Sequence, residues 1–261
     1  MRKVLTIMLA ALLVSGCAQA ATPDPTASEQ PSPSASAAAD APSAVPSPAA
    51  EPSPSPSPSP STLWDVDSAA SLQVIVNKLR PMDPAAFAPE LVPVSTENEE
   101  GAEVVRPELD AALTRMDAAM RAAIGEGTFV TSSYRSYELQ AQYYQNAISS
   151  YGQQAADTTS ARPGYSEHQT GLAIDLQSTA RECRLDHCFG ATDAGIWIAE
   201  HAWEFGFVVR YPQGADAVTG YAWEPWHLRF VGTEVTTAMH EQGIGTLEEF
   251  FGLEPAPGYA S

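Results

Sequence analysis

Two short clusters, Ser166-Glu167-His168-Gln169-Thr170-Gly171-Leu172-Ala173-Ile174-Asp175 and Glu224-Pro225-Trp226-His227, bring two imidazoles, an aspartate and a spare glutamate into one chain. Those residue types make up the inventory of a catalytic zinc site: three protein donors, an open fourth position and a carboxylate base. The step from His168 to Asp175 crosses a loop end and then enters a strand, which can bring both side chains to one rim. Glu224 and His227 are three apart, and Pro225 disfavours helical geometry at Glu224. Spacing alone leaves open whether both face one point, and by itself the tetrapeptide also fits a strand start with a buried Trp226. His201 and His240 fall within expected helices and His187 in a cysteine loop, so these three are assigned ordinary surface or core roles.

The elements that must position these residues follow from periodicity. Pro107 suits a first helical position, and Leu109, Leu113, Met116 and Met120 repeat at helical spacing, predicting a helix from Pro107 to about Ala123. Thr128 to Ser132 reads as a strand. Ser136 then caps a second helix from Tyr137 to about Ser150, with Leu139, Tyr143 and Ala147 expected on its inner face. Asp157 to Gly164 reads as a loop. Gly171 to Leu176 alternates as a strand does: Leu172, Ile174 and Leu176 pack beneath, while the small Gly171 and Ala173 leave room for Asp175 to reach a ligand. A third helix is expected from Asp193 to Phe205, capped by Thr192 and stopped by Gly206. Phe207 to Tyr211 and Trp226 to Phe230 read as strands. Thr233 to Gln242 and Leu247 to Phe251 read as helices, the last with a Thr246–Glu249 capping box and a stop at Gly252. Helices and strands intersperse without repeated βαβ units, which favours a small α+β fold.

The whole chain bounds where such a site works. Arg2 and Lys3 precede an apolar run from Val4 to Val14 that ends in Ser15-Gly16-Cys17. That pattern reads as a signal peptide over residues 1–16, with Cys17 in the position of a bacterial lipoprotein box; an ordinary signal peptide cut near Ala18 or Ala21 is the alternative. Residues 17–62 are Ala, Pro and Ser-rich, too poor in apolar surface to order, and read as an extended tether. Residues 63–261 suit one catalytic domain. With 13 Lys and Arg against 32 Asp and Glu, the net charge is −19, which argues against nucleic acid as a partner. Cys183 and Cys188, outside the cytoplasm, are expected to form a local disulfide. A second metal cluster of Cys183, His187 and Cys188 is the sharper alternative.

At these residues the chain resembles the VanY-type D-alanyl-D-alanine carboxypeptidases, the M15B zinc peptidases that also include LD-carboxypeptidases. Ser166, His168, Gly171, Ala173 and Asp175 meet one motif, and Glu224 and His227, followed by Leu228-Arg229-Phe230, meet the other. Ser133-Tyr134-Arg135-Ser136 with Gln140, Pro163-Gly164 and Gly206 to Pro212 also match. The tether and the Cys183–Cys188 insertion depart from the pattern. The resemblance implies a small antiparallel sheet with flanking helices in one catalytic domain, hedgehog/DD-peptidase-like. It implies one Zn2+ held by His168, Asp175 and His227, with Glu224 as general base and Arg135 stabilising developing negative charge. Gln140, Arg162, Ser166 and Arg210 are further candidates for substrate contact, and which of Arg135, Arg162 and Arg210 binds a terminal carboxylate is open. The expected activity is release of C-terminal D-alanine from peptidoglycan stem peptides. LD-carboxypeptidase action, an endopeptidase, or a non-catalytic wall-binding module are the alternatives. The expected setting is a monomer, lipid-anchored to the membrane through Cys17 and facing the cell wall.

Overall fold

A computed structural model describes residues 63–260; the expected signal peptide, the Cys17 lipidation site and the 17–62 tether lie outside the described residues. In chain order the elements are β1 (Val92–Pro93), β2 (Glu97–Asn98), β3 (Val104–Val105), α1 (Pro107–Ile124), β4 (Thr128–Ser132), α2 (Tyr137–Tyr151), α3 (Gln153–Thr159), β5 (Ala173–Ser178), α4 (Asp193–His201), β6 (Phe207–Tyr211), α5 (Asp216–Thr219), β7 (Glu224–Phe230), α6 (Thr233–Gln242) and α7 (Leu247–Phe251). The main sheet runs β2-β4-β5-β7-β6, and β1 pairs with β3 beside it. The pairs β4–β5, β5–β7 and β6–β7 are antiparallel, and only the two-residue β2 joins β4 in parallel. This is the α+β class that the alternation of elements predicts. Among the described residues no helix is long and apolar enough to cross a membrane.

One face of the sheet holds the core. Leu109, Leu113, Met116 and Met120 of α1 are fully buried against Val130, Leu172, Ile174, Leu176 and Leu228, with Ile198 and Trp197 of α4 closing the layer. The one-sided packing of Leu172, Ile174 and Leu176 fixes the register of β5, because a one-residue slip would turn all three to the opposite face. Asp175 is thereby held on the side away from α1. The C-terminal α6 and α7 build a second cluster, in which Val235, Met239, Leu247, Phe250 and Phe251 pack on Val231 and Ile75.

Several expectations change: β5 begins at Ala173 rather than Gly171, and the third helix gives way after His201 to a 3-10 turn that ends at Phe205. The expected 157–164 loop begins as helix, because α3 extends to Thr159. The inner face of α2 is not Leu139 and Tyr143, which are exposed, but Gln140, the one fully buried residue of that helix. The surface beneath it is polar. Gln140 Nε2 donates to the Ala161 carbonyl at 2.7 Å, and the Tyr144 hydroxyl donates to Asp157 at 2.6 Å. Finally, β7 starts at Glu224 rather than Trp226.

Candidate metal centre

His168 stands on a short 3-10 turn, Glu167–Thr170, that ends at Gly171 with φ +69°. A left-handed residue there reverses the chain directly into β5, and glycine adopts that conformation without steric cost. The His168 carbonyl accepts from the Arg135 and Gly171 amides at 3.3 and 3.2 Å. Its Nδ1 lies 2.6 Å from the Ser133 carbonyl, an acceptor, so Nδ1 carries the proton and the Nε2 lone pair is free. Asp175 and His227 are cross-strand neighbours on β5 and β7. The Asp175 carboxylate reaches both rings: Oδ1 is 3.0 Å from His227 Nδ1 and Oδ2 is 3.4 Å from His168 Nε2.

Glu224 and His227 share a side through a sheet irregularity. In a regular strand, residues three apart face opposite ways. Between the pairs Tyr211↔Glu224 and Val209↔Leu228, however, β7 uses four residues where β6 uses two. Those additional residues bring Glu224 Oε2 to 3.7 Å from His227 Nδ1.

The electrostatics follow from burial and neighbours. Burial, then the nearby Arg135 guanidinium, push His168 down to about 4 against the pull of Asp175. Burial alone would raise the Asp175 carboxyl, but His168 and His227 beside it hold it well below the usual carboxylate range. For His227 burial is outweighed by the hydrogen bond to Asp175 and by the neighbouring Glu167 and Glu224 carboxylates, which lift it to about 9. Burial raises Glu224 to about 7, with Asp175 adding to the rise and His227 and Arg135 opposing it. Asp175 thus stays ionised at the point where the two rings meet it.

That point is the floor of a cavity of about 270 Å³ lined by Arg135, Gln140, Ser166, Tyr211, Tyr221, Leu185 and Trp226, among others. Residues 102–233 match the family model described as VanY, D-alanyl-D-alanine carboxypeptidase. The chain belongs to the VanY family. It is 40% identical over 142 residues to the putative carboxypeptidase YodJ of Bacillus subtilis, covering 54% of this chain and 51% of that one. The chain therefore spans about half the length of that curated relative. Among solved structures, the LdcB LD-carboxypeptidase matches at 35% identity and a TM-score of 0.66, over 70% of this chain and 87% of that one. A point variant of the vancomycin-resistance D,D-pentapeptidase VanY in complex with Zn(II) matches at 31% identity and a TM-score of 0.58, over 69% and 98%.

The residues of this VanY-family chain fit a metal ion on their own geometry. Among the described residues His168, Asp175 and His227 form a group whose ligating atoms all lie within 4.8 Å of one another. Tetrahedral zinc with bonds of ~2.0–2.1 Å sets its donors about 3.3 Å apart, close to the 3.0 and 3.4 Å separations observed. His168 Nε2 is buried and has no hydrogen-bond partner among the described residues. An orphaned imidazole nitrogen facing a carboxylate is costly unless something positive sits between them.

Other sequence-derived candidates divide around this VanY-family site. Arg135, Gln140 and Ser166 line the cavity. Arg135 Nε and Gln140 Oε1 are buried without a partner among the described residues, so both keep hydrogen-bonding capacity. Arg162 does not line it: its guanidinium is taken by Asp157 at 3.0 and 2.8 Å and lies over the Tyr259 ring. Arg210 is a correction. It is fully buried, with Nε on Glu167 at 2.8 Å and both terminal nitrogens on Glu248, and it cannot reach a substrate. Its partners lie 43 and 38 residues away, so nothing adjacent in sequence signals the pairing.

Cys183 and Cys188 are joined as a disulfide, which removes them as ligands of a second metal. Their loop brings Leu185 to the cavity rim. His201 pairs with Glu204, and His240 stacks on Trp203, both away from the centre. The sequence reading missed Tyr211, Tyr221, Trp226 and Leu185 as cavity walls. It also missed Glu167, whose place inside the first motif was the one available sign of its importance.

Proposed function

We propose that the chain is a one-zinc carboxypeptidase that releases D-alanine from the C-terminus of peptidoglycan stem peptides. The observation that carries this reading is the convergence of His168, Asp175 and His227 on the floor of an open cavity, with Glu224 3.7 Å from His227. Bound there, zinc would polarise a scissile carbonyl and acidify a water. Glu224 then holds the proton lost by that water and delivers it to the departing amine. Arg135 is the one candidate arginine that both lines the cavity and keeps an unpartnered nitrogen. It is assigned the terminal carboxylate of the substrate, which a guanidinium grips bidentately. Gln140 and Ser166 orient the adjoining peptide groups.

LD-carboxypeptidase action is the second reading, supported by the 35% identity and TM-score of 0.66 to LdcB. Incubation of zinc-loaded protein with muropeptides ending in D-Ala-D-Ala or in L-Lys-D-Ala, followed by mass spectrometry, separates the two. The first substrate is expected to lose D-alanine. Turnover of the second alone would assign the LD activity. Turnover of neither, with Glu224→Ala binding both as tightly as wild type, would assign a wall-binding module.

The setting proposed for this chemistry is extracytoplasmic, with the domain anchored by lipid on Cys17. The basic, apolar and cysteine order of the first 17 residues supports it. Cys17→Ala should move the protein from the membrane to the soluble fraction.

A further inference from the structure

Beneath the cavity lies a group of charges that the reaction above does not use. Glu167, Arg210, Arg229 and Glu248 are each no more than 1% exposed. Glu167 Oε1 accepts from Arg210 Nε at 2.8 Å and from an Arg229 terminal nitrogen at 3.2 Å. Glu248 grips the other end of Arg210 at 2.9 and 2.6 Å and accepts from Asn77 at 2.9 Å. Arg229 spends its remaining donors on the Leu72, Val74 and Phe230 carbonyls. Two carboxylates balance two guanidinium groups, and the only loose ends are on one side. Glu167 Oε2 and His227 Nε2, both buried, have no hydrogen-bond partner among the described residues and face each other at 3.6 Å.

Four buried ions are a poor device for stability. Desolvation consumes most of their attraction, and apolar replacements of equal volume are often neutral or stabilising. What this cluster has left over is one fixed carboxylate oxygen aimed at the back of a candidate metal ligand. A ligating imidazole needs its other nitrogen protonated and held, because that bond selects the tautomer and fixes the ring plane.

We propose that Glu167 is the positioning residue for His227: its Oε2, anchored by Arg210 and Arg229, accepts the Nε2 proton and thereby presents Nδ1 to the metal. The assignment rests on the metal-centre reading but not on the substrate. Arg210 and Arg229 clamp Glu167 directly, while Glu248, which accepts from Asn77, holds only the far end of Arg210. Only proton placement is involved, and no covalent step.

The test measures zinc affinity by competition with a chromogenic chelator on the full chain, for wild type, Glu167→Gln, Glu167→Asp and Glu248→Gln. Glu167→Gln should weaken zinc about 10- to 100-fold, the usual cost of losing such a partner. Glu167→Asp keeps the charge but shortens the reach, and should fall between Glu167→Gln and wild type. Glu248→Gln disturbs the same charge cluster without touching His227 and should stay near wild type. Equal losses in Glu167→Gln and Glu248→Gln, or wild-type affinity in a folded Glu167→Gln, would overturn the proposal.

A measurement on the zinc-loaded wild-type protein is independent of any variant's folding. Long-range nitrogen–proton NMR of His227 should find the proton on Nε2, slow to exchange; a proton on Nδ1 would refute the assignment. Zinc affinity that follows the expected order while no muropeptide loses D-alanine would sink the carboxypeptidase reading and leave this one standing.

Discussion

At the scale of single residues, two side chains are proposed to do the work that the ligands cannot. Glu224 stands beside the ring of His227 at the cavity floor. Glu224→Gln keeps the shape and removes the proton acceptor. It should lower kcat about 10²- to 10⁴-fold, the usual worth of a positioned acid–base group, while zinc content by atomic absorption stays at the wild-type value. Loss of zinc from this variant would make Glu224 a ligand instead. For Arg135 the proposed task is to grip the terminal carboxylate of the substrate. If it binds the terminal carboxylate, wild type should prefer a free C-terminus over its amide by about 10- to 100-fold, the value of one or two charge-assisted bonds. Arg135→Ala should erase that preference, and an undiminished preference would return the task to another group.

Elements decide whether these residues meet, and here the sequence was readable unevenly. The core face of α1 was legible because Leu109, Leu113, Met116 and Met120 recur at the helical period, and all four are fully buried. The two faces of β5 were legible for the same reason at period two. The meeting of Glu224 with His227 was not, since it depends on how β7 slips against β6, a property of the pair that neither strand carries alone. The inner face of α2 was misread because hydrophobicity marks the packed side only where the neighbour is apolar, and Ala161 and Asp157 offer it hydrogen bonds instead. Arg210 looked available in sequence because its acidic partners come from distant segments.

One turn tests how firmly an element sets the site. Gly171 sits at φ +69°, and a Cβ there would lie 3.0–3.1 Å from Arg106, Leu91 and Pro89. Gly171→Ala should cost at least ~1–2 kcal/mol, the ordinary price of a left-handed non-glycine residue, seen as a lower urea midpoint. Because the Gly171 amide donates to the His168 carbonyl, zinc affinity should fall with it. Unchanged stability would mean that the turn relaxes without strain.

Across the whole molecule the balance of charge is lopsided outside and matched inside. The net charge of −19 belongs to the full chain, whereas the cluster under the metal centre pairs Glu167 and Glu248 with Arg210 and Arg229. That contrast predicts how the domain fails in acid. Burial alone would raise Glu248, but Arg210 outweighs it and holds the carboxyl below the usual glutamate value. A carboxyl lowered on folding stabilises the native state fully above its unfolded pKa, near 4.3. Its contribution is lost as pH falls through the lower folded value, because the unfolded chain then takes up the proton first. The melting temperature should therefore drop steeply below about pH 4.3. Glu248→Gln removes one titrating group from that limb. The variant should melt lower than wild type at pH 7, since a guanidinium is left partly unpaired in the interior, and should lose less on going from pH 7 to pH 3. Calorimetric scans of both proteins across that range check the sign. An equal or larger acid drop in the variant would show that Arg210 draws its stabilising charge from Glu167 alone.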